Sequence, residues 1–151
     1  MAFSKFAACL GLVVAAVMAS SAQAHVTVRP AEAAPAETIT YSVRVPSEGQ
    51  VTTTSVELEV PAGLTVISVE GAAESYEFKK KGAAITAIVW KTAIPAGERA
   101  ELKFSAQNPA KGAELVWKAH QHFQDGTLAD WVEPKGGKRP ASITVLKAAA
   151  P

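Results

Sequence analysis

Apolar and polar residues alternate along most of the chain. In "ETITYSVRVP" Ile39, Tyr41, Val43 and Val45 fall on one face, and Thr38, Thr40, Ser42 and Arg44 on the other. "SVELEVP" turns Val56, Leu58 and Val60 inward and leaves Ser55, Glu57 and Glu59 opposite. "LTVISV" (64–69) is more continuously apolar, while "AAITAIVWK" (83–91), "ERAELKFSA" (98–106), "AELVWKAHQHF", "TLADWV" and "ASITVL" (141–146) read as further strands. Between them fall turn signals such as Pro46-Ser47-Glu48-Gly49, Pro61-Ala62-Gly63, Pro95-Ala96-Gly97, Asn108-Pro109 and Asp125-Gly126. Short period-2 strands with turns at such spacing predict one all-β domain, an antiparallel sandwich or barrel. No sustained helical stripe, internal repeat or linker interrupts the pattern.

Register follows from turn chemistry. Read as a two-residue hairpin turn, Asp125-Gly126 pairs His122 with Ala129 and His120 with Trp131, placing His120, His122 and Trp131 on one face. A three-residue loop would give Trp131 another neighbour. Trp90 and Trp117 read as core. Lys79-Lys80-Lys81 before Gly82 reads as a solvated hairpin tip.

The N-terminus follows another pattern. Lys5 precedes an apolar run from Phe6 to Ala19, and Ala22-Gln23-Ala24 has the small-x-small form of a cleavage site. The run is shorter than the roughly 20 residues of a spanning helix, and Cys9 precedes most of it, which argues against a lipoprotein. Residues 1–24 therefore read as a cleaved signal peptide, and residues 25–151 as one exported domain, periplasmic or secreted, with His25 at its N-terminus. Cys9, Met1 and Met18 leave with the signal peptide. The mature chain then has neither disulfides nor soft sulfur ligands for Cu(I). Loss of Lys5 leaves fourteen basic against fourteen acidic residues, a balance that argues against a nucleic-acid or polybasic membrane binder. No second apolar segment of anchor length follows.

An N-terminal histidine brings two nitrogens from one residue, its α-amine and imidazole Nδ1, which close a six-membered ring on a metal. Both kinds of group shed their protons around neutral pH. Two nitrogens with oxygen donors suit Cu(II). The bland alternative is an arbitrary residue after a cleavage site. Glu57 and Glu59 read as metal ligands or as solvated carboxylates, and His120-Gln121-His122 as a metal pair or an ordinary surface strand.

"AHVTVRP", "VPSEGQVTTTSVELEVP" and "QHFQDGTLADWVEP" together resemble the YcnI-like copper-binding family of exported bacterial proteins, over essentially the whole mature chain. That resemblance implies an all-β, antiparallel β-sandwich of the immunoglobulin or cupredoxin-like Greek-key kind, binding Cu(II) through a single-histidine brace, in a protein that handles copper and is not an enzyme. It implies His25 as the brace, Glu57 as the acidic ligand and Trp131 as an indole walling the metal. Imidazoles at His120 and His122 would add to the single-histidine pattern. Copper trafficking, acquisition or buffering is the function implied, with a copper transporter or periplasmic copper chaperone as partner. Two readings compete with it. One is a copper monooxygenase or oxidase with a two-histidine brace of His25 plus His120 or His122, and the other is a metal-free structural or interaction sandwich.

Overall fold

In the computed structural model, which describes residues 25–47 and 49–148, the alternating segments become twelve strands. They are β1 (Thr27–Arg29), β2 (Glu32–Ala33), β3 (Thr38–Pro46), β4 (Thr53–Glu59), β5 (Thr65–Val69) and β6 (Tyr76–Lys81), then β7 (Ala84–Ile94), β8 (Arg99–Gln107), β9 (Glu114–Trp117), β10 (Ala119–Phe123), β11 (Leu128–Trp131) and β12 (Ser142–Leu146). One sheet runs β1-β3-β8-β5, a second β11-β10-β4-β7-β6, and a third, smaller one β2-β12-β9. The cleaved-leader reading of residues 1–24 lies outside the described residues. Among the described residues, no helix is long and apolar enough to cross a membrane.

The core forms where the inward faces meet. Tyr41 and Phe104 stack at 5.5 Å between ring centroids, and Trp117 meets them at 4.9 and 5.8 Å. Trp90 reaches Phe104 from the second sheet at 6.1 Å. Both tryptophans are buried, as the sequence suggests. Removing a side chain of this size from water contributes about 1.5–3 kcal/mol, so this cluster holds the sheets together. Its polar tips are mostly paired. Trp117 Nε1 donates to Thr144 Oγ1 at 3.0 Å, and the Tyr41 hydroxyl donates to Asn108 Oδ1. Burial, partly opposed by that hydrogen bond and reinforced by the charge of Glu37, pushes the Tyr41 phenol up to about 12.

Three departures from the sequence reading matter. "AELVWKAHQHF" is not one strand: it breaks at Lys118, β9 pairing with β12 and β10 with β4. The Lys118 carbonyl instead accepts from Glu59 N at 2.9 Å. This is how the chain passes from the small sheet into the second one. Nor is the fold purely antiparallel, since β12 also pairs in parallel with β2. Finally, the register shifts within β5 between Val66 and Ser68, and Ile67 faces solvent despite its place in an apolar run.

Candidate metal centre

The hairpin between β10 and β11 decides which side chains meet. Its loop comprises Gln124, Asp125 and Gly126, with Phe123 N donating to Thr127 O and Gly126 N to Phe123 O, each at 3.0 Å. Gly126 takes φ +84° as the third loop residue, a conformation that glycine adopts without a Cβ clash. Asp125 Oδ1 holds the far side, accepting from Thr127 N at 3.0 Å and from its hydroxyl at 2.6 Å. Those hydrogen bonds keep the Asp125 carboxyl below its ordinary value.

The two-residue reading of this turn is therefore corrected. With one more residue in the loop, Ala119 pairs with Trp131 and His120 with Asp130. A one-residue slip reverses the facing of every side chain relative to its partner strand. Trp131 points inward with Ala119, Gln121 and Ala129, all buried, while His120 lies on the outer face and His122 is exposed.

His25, the first described residue, lies just before β1 at the edge of one sheet, and Trp131 closes β11 at the edge of the other. Their rings approach to 5.6 Å between centroids, tilted by 57°. His25 is half-buried. Trp131 is buried, and its indole N–H donates inward to Gln121 Oε1 at 3.2 Å. The indole therefore turns carbon, not nitrogen, toward the histidine, so it can wall that position but not ligate there.

The structure does not bring Glu57 to this pair. Glu57 pairs in register with His120, and His120 with Asp130, so all three share the outer face, opposite Trp131. Its Oε2 is held instead by Lys79 Nζ at 2.6 Å. The carboxylate expected at the metal thus lies on the face of the sheet opposite Trp131, the ring against which His25 rests. The physical reason is the period of the strand: Val56 and Leu58 fill the core, which sends Glu57 outward.

His120 also has its own partners. Nε2 meets Glu59 Oε1 at 2.8 Å and Nδ1 meets Asp130 Oδ1 at 2.5 Å. Burial alone would lower its pKa, but the hydrogen bonds and charges of Asp130 and Glu59 together outweigh it and raise the imidazole above its ordinary value. The two ring nitrogens point apart, so these carboxylates cannot converge with one of them on a single ion. Nor does either His120 or His122 share the inward face of Trp131, so the two-histidine brace is not assembled. Among the described residues, no group of three or more His, Cys, Asp or Glu side chains is placed to hold a metal.

Two features escaped sequence reading. The clasp of His120 by Glu59 and Asp130 needs the true register, although alternation already turned both glutamates outward. Gln121, a fully buried amide beside Trp131, could have been flagged only as a polar residue at an inward position.

Residues 25–151 match the family described as Domain of unknown function (DUF1775). The chain belongs to that family. The DUF1775 match begins at His25 and takes in every strand described above. A curated relative, "Copper-binding protein CutI" of Bacillus subtilis (strain 168), is 32% identical over 132 residues, 85% of this chain and 65% of the relative. The chain thus spans just under two thirds of that relative's length. Among solved structures, an uncharacterized protein from Nocardia farcinica with an immunoglobulin-like fold superposes with a TM-score of 0.72 at 19% identity, covering 83% of this chain and 99% of that one. The seventh ScaB type I cohesin from Pseudobacteroides cellulosolvens gives 0.51 at 12% identity, covering 84% and 94%. The architecture of this DUF1775 chain is an immunoglobulin-like β-sandwich.

Proposed function

We propose that the chain is exported, cleaved after Ala24, and binds Cu(II) through the α-amine and imidazole of His25, handling copper in the periplasm or outside the cell without acting as an enzyme. The observation that carries this reading is the half-buried imidazole of His25 resting on the indole of Trp131, where the edges of two sheets meet. The family match starting at His25 and the copper-binding relative support it.

The donor set fits the ion in its chemistry. Side chains alone do not gather three ligands among the described residues, so a site at His25 draws its second nitrogen from the main chain. That nitrogen is basic only in a residue with no peptide bond before it. Two nitrogens, with water completing the coordination, match the N,O preference of Cu(II). Trp131 excludes solvent from one side and presents a π-surface to the cation. A site made by cleavage after export would not capture copper in the cytoplasm. Its cargo would pass to or from a copper transporter or a periplasmic copper chaperone.

The test compares Cu(II) titration of protein beginning at His25 with protein carrying one extra residue before it. The first should bind one Cu(II), with affinity rising with pH as the nitrogens lose their protons. The extended form should bind far more weakly. Equal affinity in the two forms would rule out the amine as a ligand.

A further inference from the structure

Trp131 sits at the end of a four-residue edge strand whose sheet neighbour, among the described residues, is β10. Its indole is nevertheless anchored, because Gln121 of β10 accepts its N–H at 3.2 Å. The Gln121 amide is itself held from both sides. Its Nε2 donates to Pro46 O at 2.9 Å and to Thr53 Oγ1 at 2.7 Å. The chain of hydrogen bonds continues from Thr53 Oγ1 to Ser47 Oγ at 2.8 Å, and from Ser47 Oγ to Val51 O at 3.1 Å.

Donor chemistry fixes the sense of each link. The Pro46 carbonyl can only accept and the indole N–H can only donate. A flipped Gln121 amide would set N–H against N–H and carbonyl against carbonyl, so one orientation alone satisfies both ends. Ser47, Thr53 and Gln121 are all fully buried, where an unpaired polar group costs about 1–3 kcal/mol. The network therefore tolerates little rearrangement. It ties the wall of the His25 site to the segment joining β3 and β4.

We propose that Gln121 is a positioning residue for the His25 copper site, setting the indole of Trp131 through its N–H so that the ring's carbon face is offered to the metal; this rests on the reading of His25 given above. A merely structural Gln121 would influence stability alone. A positioning Gln121 also changes the metal's affinity and spectrum in protein that remains folded.

The experiment uses protein beginning at His25, with Cu(II) as the probe. Gln121→Met removes the acceptor while keeping the length of the side chain. Gln121→Met should weaken Cu(II) binding by about tenfold, the lower end of what loss of an outer-shell partner costs a metal site, and should alter the EPR spectrum. A folded Gln121→Met variant with wild-type affinity and spectrum would overturn the proposal. Should that variant not fold, NMR of the unmutated protein decides. The Trp131 indole proton should exchange slowly with solvent and, unlike those of Trp90 and Trp117, should broaden on Cu(II) addition. Fast exchange, or no broadening at that proton, would overturn the proposal. Failure of the underlying reading shows separately, as Cu(II) binding by unmutated protein that ignores an added N-terminal residue.

Discussion

At the scale of single residues, Glu57 and His120 are already committed to other side chains. Lys79 neutralises Glu57 on the outer face, away from the ring of His25. Glu57→Gln should therefore leave Cu(II) affinity nearly unchanged, by calorimetric or competition titration. It should cost at most about 1 kcal/mol in stability, because Lys79 is largely exposed and the pair is screened. A large loss of affinity would mean that Glu57 reaches the metal after rearrangement. His120 allows a pH test. It faces Glu59 and Glu57 from β4 and Asp130 from β11, and its pKa is raised in the fold. A raised folded-state pKa stabilises most below the unfolded value, 6.5, and that stabilisation fades as pH climbs through the higher folded value. The stability gap between wild type and His120→Gln, from denaturant unfolding between about pH 5 and about pH 9, should be widest at the acid end and narrow as pH rises. A gap that widens with pH would contradict the clasp.

At the scale of elements, the β10–β11 hairpin carries the site's register. Gly126 has no atom near its missing Cβ, so space does not oppose Gly126→Ala; the φ of +84° does. Forcing an L-residue there costs about 1–2 kcal/mol, which denaturant titration would register. If the loop shortened in response to relieve the strain, Trp131 would move to the other face and His25 would lose its wall. Cu(II) quenching of tryptophan fluorescence reports that change. Most elements were legible beforehand. The inward sets Tyr41, Val43 and Val45 of β3 and Val56 and Leu58 of β4 are buried as their alternation requires. The break at Lys118 was not legible, because both halves of "ELVWKAHQHF" have strand character and only their neighbours in different sheets separate them.

At the scale of the whole molecule, the site depends on two sheet edges coming together. His25 enters through β1 and Trp131 through β11, far apart in sequence, and packing of the sheets around Phe104 and Trp117 brings their rings together. The sequence by itself determined the strands, the apolar faces, the all-β class and the chemistry that an N-terminal histidine would possess. These are local properties, set by side-chain period and by atoms within one residue. Tertiary structure alone decided that Trp131 faces His25, that Glu57 faces Lys79, and that His120 lies between two carboxylates. Each of those outcomes turns on register, and with a side-chain period of two, one added loop residue exchanges the inner face for the outer.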